Sequence, residues 1–225
     1  MPLSLRPGTP ADAPSLSKIC LLTGNYGTSA EHLHSRGELL GLVYAEPYVL
    51  RDGTFAFVLV DSAEREEGEE GTEERKEEVV GYIIGAYDTA LYEAERGRDW
   101  FPLLAKKYPV GSEGTDADKY YYGLFASPPK TGQDVLSIYP SHLHIDILPA
   151  YQRTGWGRKM VHTIIEHLSS KGYKGVWAGI DSRNEAGRRW YIKLGFRRVE
   201  SEVGEYWVMD FDRWDGIRGR PVEGA

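Results

Sequence analysis

The sequence has few of the features that mark a secreted or membrane-bound protein. It contains 225 residues with a single cysteine, so no disulfide can form within the chain, which favours a reducing compartment. No apolar run approaches the roughly 20 residues that are needed to span a bilayer. Residues 1–6 lack the basic-then-apolar layout of a secretory signal. We therefore expect a cytoplasmic or nucleocytoplasmic protein with no membrane partner.

The sequence also lacks an excess of positive charge. The formal net charge is −7, and residues 62–78 alone contribute −6 through nine glutamates against two arginines and one lysine. The rest of the chain is close to neutral, whereas a nucleic-acid-binding domain normally shows a basic patch. We expect no nucleic-acid partner. The acidic segment is too polar to bury surface and is predicted to be a disordered, solvated loop.

Hydrophobic periodicity predicts an α/β (α+β) fold. Strands are predicted at residues 3–6, 54–61, 79–86, 143–147, 175–180, 196–200 and 206–211. Helices are predicted from Thr9 or Asp12 to residue 22, from Ser29 or Ala30 to Tyr44, over residues 156–168 and over residues 185–194. This order favours a mixed sheet with helices on both faces. Cys20 lies on the apolar stripe of the first helix and is predicted to pack in the core.

The predicted organisation is one domain, residues 1–214, with two additions and a polar tail at residues 215–225. The first addition is the acidic loop 62–78, at the tip of a predicted antiparallel hairpin. The second is residues 88–137, with helical character up to Tyr108 and then glycine- and proline-rich loops around the aromatic residues 120–125. A long insertion of this kind usually folds over a site or covers the core.

One stretch joins a strand to a glycine-bearing turn and a helix. His142, His144 and Asp146 alternate with Leu143, Ile145 and Ile147, which is the period of a strand. Pro149 ends the strand, and helical spacing begins at Trp156. The turn between them has free backbone N–H groups next to the positive end of a helix, so it predicts a phosphate-binding site. The residues of that turn are Gln152, Arg153, Thr154, Gly155, Trp156, Gly157 and Arg158.

Two motifs resemble those of the GCN5-related N-acetyltransferase (GNAT) superfamily. Gln152, Gly155 and Gly157 match its Q/R-x-x-G-x-G/A element. The second element, N-x-x-[AG]-x-x-x-Y-x-x-L-G-F, is matched by Asn184, Gly187, Tyr191, Leu194, Gly195 and Phe196. The stretch from Tyr139 to Pro149 more narrowly resembles bacterial and fungal acetyltransferases that are related to the acetyltransferase-like domain of O-GlcNAcases. The resemblance implies a mixed, mostly antiparallel sheet with a splayed central strand.

The resemblance also implies acetyl-CoA as donor and CoA as product. The turn residues 152–158, with Lys159 as a further cation, would hold the pyrophosphate, although their glycines could instead serve helix–sheet packing. Ile145, Ile147 and Leu148 would pair with the pantetheine arm, and the Ile145 N–H would polarise the acetyl carbonyl. Asn184 and Tyr191 complete the expected cofactor set. No metal is expected.

In this family an amine attacks the thioester directly, so the enzyme supplies only a base and an acid. Tyr191 matches the family's acid, with a core tyrosine as the alternative. His144 and Asp146 are the candidate bases, although the family position aligns with Ser141 or Leu143, and a strand bulge would shift the phase. These polar residues could also simply be hydrogen-bonded in the core.

Two other functions are compatible with the sequence. The chain could bind acetyl-CoA as a regulatory module without turnover, or His142, His144 and Asp146 could hold a metal ion in a metalloenzyme. The acceptor is open among a small amine, an amino sugar and a peptide, and we expect it to contact residues 87–139. The sequence does not indicate an oligomeric state.

Overall fold

The fold is built on a seven-stranded sheet in the order β1-β2-β3-β4-β5-β7-β6, seen here in a computed structural model that describes residues 3–62, 77–201 and 204–215. The strands are β1 (Leu3–Pro7), β2 (Thr54–Asp61), β3 (Glu78–Ala86), β4 (His142–Ile147), β5 (Gly175–Gly179), β6 (Arg197–Val199) and β7 (Tyr206–Asp210). Every neighbouring pair is antiparallel except β4 and β5. The predicted fold class is confirmed. The acidic segment lies almost wholly, and the tail mostly, outside the described residues, so the predicted disorder there stays a prediction.

The part of the chain that the structure describes contains ten α-helices. They are α1 (Ala13–Thr23), α2 (Glu38–Tyr44), α3 (Pro47–Leu50), α4 (Thr89–Glu95), α5 (Phe101–Lys107), α6 (Asp116–Ala126), α7 (Gln133–Leu136), α8 (Trp156–Ser170), α9 (Glu185–Leu194) and α10 (Phe211–Asp215). Helices α1 to α6 supply one core cluster, and α8 to α10 supply a second on the opposite face, as the periodicity predicted. Cys20 lies in the first cluster and is 5% exposed, which confirms core packing.

The helical segments of the first half differ from the predicted ones. The predicted helix from residue 30 to Tyr44 is a 3₁₀ turn at Glu31–Leu33 and then the shorter α2. Pro47 lies in the first turn of α3, where a missing N–H costs nothing. A π-helical turn at Arg96–Trp100 joins two short helices, α4 and α5, and Pro102 lies in the first turn of α5.

The insertion is more regular than predicted. The aromatic residues 120–125 were expected between loops, but they lie on α6, whose start is fixed by a capping box between Thr115 and Asp118. Asp118 is fully buried and accepts hydrogen bonds from the His34 ring (2.8 Å) and the Ser35 backbone N–H (3.1 Å). These contacts attach the insertion to the segment that precedes α2. No helix in the described ranges has the length and hydropathy of a membrane-spanning segment.

Candidate active site

Strands β4 and β5 separate soon after they meet. Their only register pair is His142 with Trp177, where the Trp177 N–H donates to the Ser141 carbonyl at 3.0 Å. Beyond this pair the two parallel strands diverge and leave a wedge in the sheet. The predicted splayed strand is therefore confirmed, and the wedge opens toward the turn at residues 152–158.

Backbone groups of β4 line one edge of this wedge. Because successive residues of a strand point to opposite edges, the Ser141 bond to β5 places Ile145 and Ile147 on the β5 side. The Gln152 Nε2 group donates to the Ile147 carbonyl at 2.8 Å, as expected for an edge without a strand partner. Leu148 differs, because its N–H donates to Val80 and its carbonyl accepts from Tyr151. Leu148 can therefore not offer its N–H to a ligand in the wedge.

The turn after β4 has the geometry of an anion site. Residues 152–155 are exposed, and Arg153 and Gly155 have φ angles of 61° and 86°, in the left-handed region. Gly155 is the N-cap of the 15-residue α8, so the first N–H groups of that helix have no intrahelical acceptor and lie at its positive end. Successive N–H groups on a left-handed turn form a concave donor surface that suits phosphate oxygens.

The two glycines of this turn have different roles. A Cβ atom at Gly155 would meet nothing within 4 Å, so its requirement is the backbone angle. A Cβ atom at Gly157 would approach the Trp190 ring to 2.9 Å, so this glycine allows α8 and α9 to pack closely. The packing alternative that the sequence left open therefore applies to Gly157, whose tight contact is with Trp190 of α9, while Ile147 of β4 lies at an ordinary 3.8 Å.

Helix α9 brings the second motif to the same wedge. Asn184 caps it by accepting a hydrogen bond from the Gly187 N–H at 2.8 Å. Tyr191 lies on the buried side, against Trp190 and Phe196. Burial raises the pKa of the Tyr191 phenol, and the negative charge of Asp146 raises it further, so the phenol is protonated at neutral pH. The effect of that charge shows that Tyr191 and Asp146 are close enough to interact electrostatically.

The strand β4 is regular, with an unbroken register against β3 from Ile147 to His142. The described register shift lies instead between β2 and β3, where Leu59 pairs with Gly81 and Val60 with Val79, so that Val80 of β3 is the extra residue. The phase shift that the sequence left open is therefore absent, and His142, His144 and Asp146 share the face toward α1, α2 and α3. They have very different surroundings.

His142 is fully engaged. The Thr89 hydroxyl donates its proton to the Pro140 carbonyl, so its oxygen accepts a hydrogen bond from His142 Nδ1–H at 2.7 Å. With the ring proton on Nδ1, Nε2 is an acceptor, and the Tyr48 hydroxyl donates to it at 2.8 Å. Both ring nitrogens are occupied and burial lowers the pKa of the ring, so His142 is a neutral structural residue. The three strand residues form no metal-binding cluster within the described ranges, and His142 has no lone pair to offer to a metal ion.

His144 and Asp146 are partly exposed in the wedge. The His144 ring packs near Tyr44 and Tyr48, and burial, followed by the charge of Arg96, lowers its pKa to about 4. Asp146 Oδ2 accepts a 2.6 Å hydrogen bond from the Tyr82 hydroxyl. Burial raises the pKa of this carboxyl to about 6, against the opposing effects of hydrogen bonds from Tyr82 and Thr23.

Tyr82 was not identified from the sequence. It lies within the predicted strand 79–86, where the pattern predicts an ordinary aromatic core residue. The β3–β4 register is what places it directly opposite Asp146. The loop between α1 and α2 was also missed. Its Gly27 carbonyl accepts a long hydrogen bond (3.4 Å) from Gln152, and Tyr26, with φ of 54°, stacks 5.1 Å from the Arg183 guanidinium. This loop therefore contacts both edges of the wedge mouth.

Comparison with known proteins agrees with this geometry. The model of the acetyltransferase (GNAT) family matches residues 42–196. An uncharacterized N-acetyltransferase of Mycobacterium tuberculosis H37Rv is 31% identical over 51 residues, which are 23% of this chain and 33% of that protein. The [Ribosomal protein bS18]-alanine N-acetyltransferase of Haemophilus influenzae is 35% identical over 63 residues, 28% of this chain and 42% of that protein. The chain thus spans less than half the length of these curated relatives.

Solved structures match over a longer range. The crystal structure of SsHAT superposes with a TM-score of 0.78 at 27% identity, covering 94% of this chain and 99% of that one. A putative GNAT-family acetyltransferase from Desulfovibrio desulfuricans has a TM-score of 0.52 at 13% identity, covering 93% and 99%, and shows the fold alone. With most of the chain matched by the family model and the wedge, turn and capped helix in place, this protein belongs to the acetyltransferase (GNAT) family.

Proposed function

We propose that this protein is an N-acetyltransferase that transfers the acetyl group of acetyl-CoA directly to an amine. The observation that carries the proposal is the wedge between β4 and β5, which joins an anion-binding turn at one end to Tyr191 and Asp146 within its walls. An elongated donor with a pyrophosphate fits this arrangement. The turn at residues 152–158 would bind the pyrophosphate, and the free backbone of Ile145 and Ile147 would pair with the pantetheine amides.

The wedge residues then account for each proton in the transfer. Asp146 or His144 accepts the proton of the ammonium, which frees the nitrogen lone pair to attack the thioester carbon. The Ile145 N–H donates to the carbonyl oxygen as negative charge develops there. Tyr191 is protonated at neutral pH, so its phenol can give its proton to the departing CoA thiolate, and the phenolate then takes the second proton that the nitrogen loses as it becomes an amide.

The organisation and the acceptor belong to the same proposal. We propose one acetyltransferase domain over residues 1–214, with the insertion 88–137 forming part of the acceptor pocket. The Tyr44 side chain, which is partly exposed beside His144, suits a small amine, an amino sugar or a peptide amine. The narrower resemblance to acetyltransferases related to the O-GlcNAcase domain is supported by the β4 sequence and stays part of the proposal.

The test is CoA release from acetyl-CoA with a panel of amines, namely glucosamine, spermidine and an alanyl and a lysyl peptide. Tyr191→Phe should lower kcat by roughly 10²–10⁴-fold, because the thiolate would lose its acid. The dissociation constant for acetyl-CoA, measured by calorimetry, should change by less than about threefold. Tight acetyl-CoA binding without turnover of any amine by the unaltered protein would instead favour a regulatory module.

A further inference from the structure

The wedge contains two candidate bases, and their hydrogen bonds differ. Within the part of the chain that the structure describes, neither ring nitrogen of His144 has a hydrogen-bond partner, so its tautomer is not fixed, and its ring is held by packing against Tyr44 and Tyr48. The Asp146 carboxylate is held at one oxygen by the Tyr82 hydroxyl at 2.6 Å. A base works best when its lone pair is fixed toward the proton that it takes. This difference favours Asp146.

Tyr82 is well placed to fix that carboxylate. It lies directly opposite Asp146 in the β3–β4 register, and its side chain is fully buried between the sheet and α1. The strand backbone and the surrounding core therefore hold the phenol in one position. Its hydroxyl reaches Asp146 from the core side, whereas Asp146 itself is partly exposed in the wedge.

We propose that Tyr82 is a positioning residue that orients Asp146 as the general base of the transfer, an inference that rests on the proposed function. Tyr82 keeps its own proton and donates it as a hydrogen bond to Oδ2. A lone pair of the carboxylate then bonds to the ammonium proton of the acceptor, the N–H bond breaks, and its electron pair stays on the nitrogen for attack. His144 packs beside the acceptor without carrying the proton.

The titratable groups around Asp146 agree with this assignment. Cys20 on α1, Tyr82 on β3 and Tyr191 on α9 all have pKa values that burial raises, so they stay neutral near pH 7. His144, on the same strand, has its pKa lowered to about 4 and is also neutral there. Thr23, on α1, contributes only a hydroxyl. Among these residues, Asp146 has the pKa, about 6, that makes its charge change between pH 5 and 7.5.

The experiment compares Tyr82→Phe with Tyr48→Phe across pH. Both changes remove one buried hydroxyl from the same face of the sheet, but Tyr48 donates to His142 rather than to Asp146. Loss of the Tyr82 hydrogen bond disfavours the charged carboxylate and so raises the pKa of Asp146. The acidic limb of the kcat/KM profile should therefore shift to higher pH by about one unit. Activity should recover at pH 8.5. Tyr48→Phe should leave the limb where it is.

A second measurement separates this inference from the proposed function. The side-chain carboxyl carbon of Asp146 can be followed by NMR in protein with labelled aspartate, without any substrate. Its titration should also move upward by about one unit in Tyr82→Phe. An unshifted Asp146 titration, or an activity loss that is equal at every pH, overturns the role of Tyr82. Absence of turnover with every amine overturns the proposed function and with it the base.

Discussion

At the scale of single residues, Gly155 shows how one atom can set the shape of the candidate phosphate site. Its φ of 86° is in the left-handed region, where a side chain costs about 1 kcal/mol, and the space around it is open. The glycine is therefore required by backbone conformation alone. Gly157, two residues later, is instead required by the Trp190 ring.

We expect Gly155→Ala to lower the free energy of unfolding by about 1 kcal/mol and to weaken acetyl-CoA binding, because the turn would relax away from the left-handed region. Gly155→Asn is the matched control, since asparagine tolerates this region better, and it should lose less than half as much. Urea unfolding and calorimetry measure the two effects. Equal losses in the two variants would show that the requirement is steric and not conformational.

Single residues also show what the sequence could predict about the site. The alternation of residues 142–147 predicted His142, His144 and Asp146 on one face only for a regular strand, because a strand has a period of two, and the unbroken β3–β4 register confirms it. Their individual roles depend on atoms from other elements: Tyr48 and Thr89 around His142, and Tyr82 beside Asp146. These contacts follow from strand register and helix docking, which no local pattern encodes.

At the scale of elements, α1 and α2 approach so closely that a glycine is needed between them. A Cβ atom at Gly41 would lie 1.8 Å from Ser17 Oγ and 2.7 Å from the Ser17 Cα atom. Glycine is a poor helix former, so Gly41 by itself disfavours a helix at this position. In the structure it is buried in α2 and allows this contact, so tertiary packing outweighs the local preference.

Gly41→Ala should therefore destabilise the protein by about 1–3 kcal/mol, because backbone atoms of α1 must move to make room. Gly123→Ala is the control, since Gly123 also lies within a helix, α6, but has open space around its Cα atom. That change should stabilise the protein by about 0.5–1 kcal/mol through better helix propensity. Unfolding in urea measures both values. A Gly41→Ala protein as stable as the unaltered one would contradict the close packing.

Elements with strong local signals were predicted well, and those fixed by distant partners were not. The hairpin of β2 and β3 and the helices α8 and α9 have clear periodicity and end signals, such as Gly195 after α9. Helix α6 is different, because it begins in a glycine- and serine-rich segment and depends on His34 and Ser35 to satisfy Asp118. His34 lies 84 residues before Asp118 in the sequence, so sequence periodicity could not reveal this contact.

At the scale of the whole molecule, the charge of the candidate base Asp146 should lower the free energy of unfolding at neutral pH. The pKa of Asp146 is raised to about 6 from its usual 3.8, so the folded state prefers the protonated carboxyl. The resulting stability is fully present below pH 3.8 and is lost as the pH rises through 6. Asp210 has the opposite sign: its hydrogen bond from Arg197 lowers its pKa, so its contribution is present at neutral pH and is lost in acid.

Asp146→Asn should therefore raise the free energy of unfolding at pH 7.5 by about 1–3 kcal/mol while it abolishes most turnover. Asparagine keeps an oxygen that can accept the Tyr82 hydrogen bond, so the change mainly removes the charge. The gain should shrink at pH 5, where the unaltered carboxyl is already mostly protonated in the folded protein. Urea unfolding at the two pH values, with Asp210→Asn as the control, measures this difference. Asp210→Asn should destabilise the protein at pH 7.5, and a stability gain of Asp146→Asn that is equal at both pH values would contradict the raised pKa of Asp146.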